Sequence, residues 1–231
     1  RMVQIGETFN RFNRVVRDVS LELGKQIALE VVGGDTELDK AMVERIGDPL
    51  MHLVRNAMDH GMETPAERVA AGKPEQGLLR LRAFHDSGSV VIEVSDDGRG
   101  LNRERILAKA VERGLVETGE GLTDIEVFEL IFEPGFSTAE QVTSLSGRGV
   151  GMDVVKKSVE ALRGTITLSS RTGQGTLLQM RLPLTLAIID GFMVGVSDAR
   201  FILPLDLVVE CIELPTDALM PDTPRYLNLR G

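Results

Sequence analysis

Leu50-Met51-His52-Leu53-Val54-Arg55-Asn56-Ala57-Met58-Asp59-His60-Gly61-Met62-Glu63 is the stretch on which the reading of this chain turns. At about 100° per residue, the interval set by 3.6 residues per turn, Arg55, Asp59, His52, Glu63, Asn56 and His60 fall within an arc of about 140°. Leu50, Leu53, Val54, Ala57 and Met58 cover the opposite side. A solvated amphipathic face reads the same way. Such faces are usually built from Lys and Glu, whereas His, Asn and Asp are indifferent helix formers, and Asn and Asp compete for backbone hydrogen bonds. A functional site along one helical face is therefore a second reading of the same residues.

Outward from this helix, the periodicity alternates between two kinds. Phe9, Phe12, Val15, Val16, Val19 and Leu23 recur at helical spacing, and Gly24 stands where a helix would stop. Ile27, Leu29 and Val31 alternate with polar residues up to Gly33-Gly34, as in a half-buried strand. A second helix is expected from about Glu37 to Gly61, with a kink or fresh start at Asp48-Pro49, which suits an N-cap followed by proline. Leu78 to His85 and Val90 to Ser95 read as a hairpin. Helices are expected at 103–113, at 124–132, where Thr123 and Glu126 have capping-box spacing, and at 152–162. Residues 134–150 read as a long loop, and 165–170 with 176–182 as a second hairpin. Past Pro183 the helical periodicity stops and short β-rich runs follow (187–196, 201–205, 207–214), so a domain boundary is expected at Pro183-Leu184.

Composition narrows the function classes. The 231 residues carry 26 basic and 35 acidic side chains, a net charge of −9, and 42% are apolar. That excludes wholesale disorder. With no Lys/Arg-dense run, it also argues against nucleic acid as a partner, since non-specific binding rests on neutralising phosphates. Cys211 is the single cysteine, which removes an internal disulfide or Cys-rich metal site and fits a reducing, cytoplasmic setting. No run reaches the roughly 18 apolar residues of a membrane span, so no membrane insertion is expected, and the first residues are not a signal peptide. Eight Phe, one Tyr and no Trp stand against 24 Gly; the core must be aliphatic and the glycines need an account.

Three further motifs can carry chemistry. Asp96-Asp97-Gly98-Arg99-Gly100 follows a strand directly. It reads as an ordinary turn, or as a buried carboxylate accepting from an adenine amino group while glycines let the backbone approach a ring. Gly147-Arg148-Gly149-Val150-Gly151 precedes a helix, which makes either a flexible linker or a cradle of amides at a helix N-terminus for phosphate. Gly173-Gln174-Gly175-Thr176 reads first as a hairpin turn. Asn56 offers a hard amide oxygen of the kind magnesium accepts when phosphates supply its other ligands. The chain has neither a dinucleotide fingerprint nor a Gly-Lys-Ser/Thr phosphate loop.

In order, His52-x-x-x-Asn56, Asp96-x-Gly98-x-Gly100, Phe132 and Phe136, Gly147-x-Gly149-x-Gly151 and Gly173-x-Gly175-Thr176 resemble the boxes of the gyrase, MutL and histidine-kinase ATPase superfamily. His52 to Gly61, Gly135-Phe136-Ser137-Thr138-Ala139 and Ser146 to Val155 resemble the chemotaxis histidine kinases more closely. The resemblance covers essentially the whole chain; Gln4, where proline is expected, is a departure outside every box. It implies a two-layer α/β sandwich of the Bergerat type over residues 1–183, a mixed sheet covered by helices. Residues 184–231 are then the truncated start of a CheW-like regulatory domain, an incomplete β-rich, SH3-like barrel segment.

Carried over by position, the resemblance implies that Asn56 ligates Mg2+, Asp96 reads the adenine of ATP, and Gly98 and Gly100 allow close approach. Arg105 and Lys109 would stand near the phosphates with Ser146 and the amides of Gly147, Arg148, Gly149, Val150 and Gly151; Thr176 belongs to the last box. The ATP-hydrolysing relatives carry glutamate where this chain has His52, so His52, Arg55 and His60 are expected to orient or neutralise the γ-phosphate rather than activate water. The acceptor histidine would sit on a separate phosphotransfer domain, and His85 is expected at an exposed strand end. The resemblance also implies a CheW-like adaptor and chemoreceptors as partners, response regulators indirectly, and a homodimeric parent. An ATP-driven clamp like gyrase or MutL, and a scaffold with a vestigial ATP site, are the other readings.

Overall fold

The computed structural model describes residues 1–118, 120–136, 151–184 and 191–204. Contacts divide the chain into two units, Arg1–Leu186 and Ala187–Gly231. In the first, a short strand β1 (Met2–Gln4) leads into helix α1 (Gly6–Leu23), whose Thr8, Phe9, Phe12, Val16, Val19 and Ser20 are buried. Gly24 ends it in the left-handed conformation (φ 62°), as the sequence predicts. Strand β2 (Ile27–Val32) follows, and β3 (Glu37–Asp39) pairs antiparallel with β1.

Helix α2 (Lys40–Asn56) starts three residues later than Glu37, because Asp39 caps it: its side chain accepts from Ala41 N at 2.9 Å. No fresh start occurs at Asp48-Pro49. Pro49 sits inside an unbroken helix, buried with Ile46, Leu50, Leu53 and Val54 against the core. The helix does not run uniformly to Gly61 either, because Ala57–Gly61 form a π turn, wider than the α-helix before it. A short helix α3 (Pro65–Ala70) then begins with a capping box between Thr64 and Glu67.

Strands β4 (Gly77–Asp86) and β5 (Ser89–Asp96) form the expected hairpin, closed by Ser87-Gly88 with φ of 49° and 77°, the two positive values of a type I′ turn. Helices α4 (Arg103–Glu112), α5 (Asp124–Glu129, with a 3-10 turn at Leu130–Phe132) and α6 (Met152–Ala161) precede the second hairpin, β6 (Thr165–Arg171) and β7 (Gly175–Pro183). The five long strands form one sheet in the order β2-β4-β5-β7-β6, with β2 parallel to β4 and the remaining pairs antiparallel. It is the mixed sheet of an α/β fold. Register places Ala83, Ile92, Met180 and Ile166 in one cross-strand row and Leu81, Val94, Leu178 and Leu168 in the next. These rows face the helices. On the other face, Glu93 accepts from Gln179 (2.9 Å) and Arg82 (3.4 Å).

In the second unit the described residues form a hairpin, β8 (Gly191–Val196) and β9 (Ala199–Pro204). The expected barrel segment otherwise lies outside the described residues, as do the run 207–214, Cys211 and the Ser146 to Val150 part of the glycine-rich motif.

Candidate functional site

The end of β5 is where the sequence motifs converge. Asp96, the last residue of the sheet's central strand, pairs in register with Leu79 on β4 and Thr176 on β7. Its Oδ1 accepts from Gly98 N at 2.9 Å, and the Thr176 backbone donates to it as well. The glycines around it are required by approach distances. A Cβ on Gly98 would lie 2.2 Å from the Gly61 carbonyl oxygen, and one on Gly175 would lie 1.9 Å from the Asp96 carbonyl oxygen. Gly61 in turn faces the Asp96 carboxylate: a Cβ there would stand 3.3 Å from Oδ2. Arg99 N donates to Gly61 O (2.9 Å), tying this loop to the π turn.

Burial is the leading influence on Asp96 and pushes its carboxyl up to about 6, assisted by the charges of Asp97 and Glu63 and opposed by the two amides. Gly100, at φ 69°, passes within what would be 2.3 Å of the Arg171 carbonyl oxygen. Ser170 Oγ holds that junction by accepting from Leu101 N (2.8 Å) and donating to Gly175 O (2.8 Å). Gly173 N donates to Arg99 O (2.7 Å), so the last glycine motif also docks on the Asp96 loop.

Beneath this loop lies a charged cluster that the sequence reading left unassigned. Arg68 is 1% exposed; Nη2 donates to Asp97 Oδ2 (2.8 Å), Nη1 to Glu63 Oε2 (3.2 Å) and Nε to Pro74 O (2.7 Å). Lys73 Nζ donates to Glu63 Oε1 (2.7 Å) and to the carbonyl oxygens of Asp97 (2.9 Å) and Gly98 (2.7 Å). Burial would raise Glu63, but the hydrogen bond and charge of Lys73, the backbone and Arg68 outweigh it and hold the carboxyl below its ordinary value. The signal available in the sequence was slight: a capping box at Thr64, then an arginine and a lysine in a Gly/Pro-rich stretch.

The helical face of α2 supplies the remaining candidates. His52 is half-buried, and burial, then the charge of His60, lower its pKa. At pH 7 it is a neutral imidazole. Arg55 and His60 are exposed, and His60 Nε2 stands 3.6 Å from Asp59 Oδ2. Asn56 Nδ2 donates to Met152 Sδ at 3.3 Å, linking α2 to α6 and turning the amide oxygen away from that contact. Gly151 occupies the N-cap position of α6. Arg105 and Lys109 share one face of α4, which packs on α5 and the 3-10 turn. Phe132 and Phe136 are buried; Arg113 Nη1 donates to Gly135 O and its guanidinium lies 5.8 Å from the Phe136 ring. Asp96, Gly98, Gly100 and Thr176 thus come together at the end of β5, and Asn56 meets α6 through Met152, whereas Arg105 and Lys109 stand on α4. His85 pairs with Val90 near the far end of its strand and is exposed, as expected.

Comparison with known proteins follows the same residues. Positions 45–186 match the family described as histidine kinase-, DNA gyrase B-, and HSP90-like ATPase. Over 233 residues the chain is 53% identical to chemotaxis protein CheA of Salmonella typhimurium, covering 100% of this chain and 35% of that protein. It is 45% identical over 234 residues to chemotaxis protein CheA of Bacillus subtilis (100% and 35%) and 48% identical over 233 residues to the sensor histidine kinase CheAY of Helicobacter pylori (100% and 29%). The chain spans about a third of the length of these curated relatives. A nucleotide-free structure of the catalytic domain of histidine kinase ThkA superposes with a TM-score of 0.50 at 19% identity, over 80% of this chain and 95% of that one, a likeness of fold.

Proposed function

This chain belongs to the histidine kinase-, DNA gyrase B-, and HSP90-like ATPase family, and from that premise we propose that it is the ATP-binding catalytic core of a chemotaxis histidine kinase. In this reading it passes the γ-phosphoryl group of ATP to a histidine on a separate phosphotransfer domain. The Asp96 pocket carries the proposal. A half-buried carboxylate, held by Gly98 N and packed beside Gly61 and Gly98, keeps acceptor capacity for an amino donor.

Asn56 is the residue that fits Mg2+. Its amide nitrogen is committed to Met152 Sδ, which leaves the hard carbonyl oxygen as the ligand, a donor suited to an ion whose other ligands are phosphates and water. When bound, the ion would neutralise charge on the transferring phosphoryl group. His52, neutral at pH 7, orients the γ-phosphate with Arg55 and His60, and a kinase whose nucleophile is itself an imidazole needs no residue to activate water. Arg105, Lys109, Ser146 and the amides of Gly147, Arg148, Gly149, Val150 and Gly151 are assigned to the phosphates; Thr176 and Gly100 complete the base side.

We assign residues 1–183 to the catalytic domain and 184–231 to the first part of a CheW-like, SH3-like regulatory domain that docks adaptor and chemoreceptors. Response regulators take the phosphoryl group onward, and the parent is a cytoplasmic homodimer. Among the described residues no helix is long and apolar enough to cross a membrane. The test is label transfer: with γ-labelled ATP and a purified histidine phosphotransfer domain, label appears on that domain and is lost in Asp96→Ala and Asn56→Ala. ATP binding with no transfer to any such domain defeats the kinase assignment.

A further inference from the structure

Two lysines that the proposed chemistry does not use hold the two backbone walls of the Asp96 pocket from outside. Lys25, in the turn between α1 and β2, is half-buried, and its Nζ donates to the carbonyl oxygens of Met58 (2.8 Å) and Asp59 (2.6 Å). Those carbonyls belong to the π turn that ends on Gly61. Lys73 makes the matching arrangement on the other wall, with Nζ donating to the carbonyl oxygens of Asp97 (2.9 Å) and Gly98 (2.7 Å). In each case one ammonium gathers two successive carbonyls. The two walls meet at a contact with no slack, where Gly98 packs against the Gly61 carbonyl and Arg99 N donates to it at 2.9 Å.

An ammonium with three donors on a flexible stem suits this task, since it can bind carbonyls that an α-helical or β ladder would have paired. Burying it is costly unless it is well partnered. Burial is the leading influence on Lys25 and lowers its pKa, with the charge of Asp59 opposing. Both act on peptide carbonyls of the segments that carry Gly61 and Gly98. A shift of either wall moves Gly61 or Gly98 relative to the Asp96 carboxylate, and so changes the aim of its acceptor.

We propose that Lys25 and Lys73 are positioning residues that hold the two touching backbone segments in place beside Asp96 and thereby set the aim of its carboxylate and the selectivity of the pocket for adenine. The inference rests on the reading of that pocket as a nucleotide-base site. The experiment is titration of the full chain with ATP and with GTP, magnesium present, for the unmodified protein, Lys25→Met, Lys73→Met and the two Lys→Arg variants. Each Met variant weakens ATP about tenfold, the scale of losing a group that orients a binding residue, and narrows the ATP-over-GTP preference. The Arg variants, which can still donate to two carbonyls, stay within about threefold of the unmodified chain.

Lys73 also pairs with Glu63, so Lys73→Met is repeated in a Glu63→Gln background, which removes the carboxylate that Lys73 no longer meets and serves if the single variant does not fold. Persistent loss of ATP affinity and selectivity in the double variant supports the carbonyl role. Recovery to within twofold overturns it, as does an unchanged ATP-over-GTP ratio in folded Met variants. If the unmodified chain binds neither nucleotide, the base-site reading itself falls, which is a different result from lysine variants that bind normally.

Discussion

The two ends of the candidate site are built by different means. At the base end, Asp96 is surrounded by close backbone contacts, with Gly98 against Gly61 and Gly175 against Asp96 O, over the buried pairs of Arg68 and Lys73. At the other end, Arg55 and Arg105 are exposed helix-surface side chains, and Asn56 makes, among the described residues, a weak N–H to sulfur contact with Met152 at 3.3 Å. Under the proposed function, the end that must recognise a fixed flat shape is fully assembled in the polypeptide. In the same reading, the end that handles phosphate charge presents, among the described residues, exposed cations on helix surfaces.

This comparison breaks most readily at the base end. Arg68→Met removes the guanidinium from Asp97 and leaves Glu63 to Lys73, and costs about 3 kcal/mol by urea denaturation. A loss under about 1 kcal/mol would mean that the cluster is solvated decoration. Gly98→Ala follows, with about 2–3 kcal/mol lost to a clash against backbone that cannot swing aside, and ATP affinity lost with it. Gly173→Ala meets nothing within 4 Å, and although its φ of 79° brings a cost, that cost stays near about 1 kcal/mol.

Asp96→Asn separates stability from function. Because the folded-state carboxyl is raised to about 6, the native state is favoured with the group protonated; that advantage is whole below the ordinary carboxylate range and lost as pH rises through 6. Asp96→Asn, neutral throughout, is therefore more stable than the unmodified chain by up to about 2 kcal/mol at pH 8, near parity at pH 4, and defective in ATP binding at both. Equal stability differences at the two pH values would show that Asp96 is not held at a cost. The smallest effect on stability belongs to the open end: Arg105→Ala and Lys109→Ala change it by less than about 0.5 kcal/mol while weakening ATP severalfold.

The same contrast decides what could be read from sequence. The sheet was legible because Leu79, Leu81 and Ala83 alternate with Arg80 and Arg82, and the α5 start because Thr123 and Glu126 satisfy each other's termini. The glycine motifs were legible because close approach requires glycine wherever the chain turns under a neighbour. Short strands β1 and β3 were not, since three residues carry too little periodicity. Pro49 suggests a break, but the packing of its neighbours into the core outweighs the missing hydrogen bond. The π turn and the Glu63–Arg68–Lys73–Asp97 cluster arise only when distant segments meet. A buried ion pair leaves no local pattern, and the same Thr64-Pro65-Ala66-Glu67 that caps α3 looks like a loop until the charge behind it finds Asp97.

The pairing of Asp96 with Thr176 bears on how the chain reaches this state. The acceptor of the base pocket lies on β5 and its flanking amide on β7, with three helices of chain threaded between them. Loop closure of that size is expensive and late, and such non-local strand pairing slows folding. The pocket is thus absent from any partly folded chain that has formed only the β4–β5 hairpin and the early helices. Under the proposed function, nucleotide capture during refolding marks the completion of the sheet rather than its nucleation, and ATP added in excess slows unfolding without hastening the steps before β7 docks.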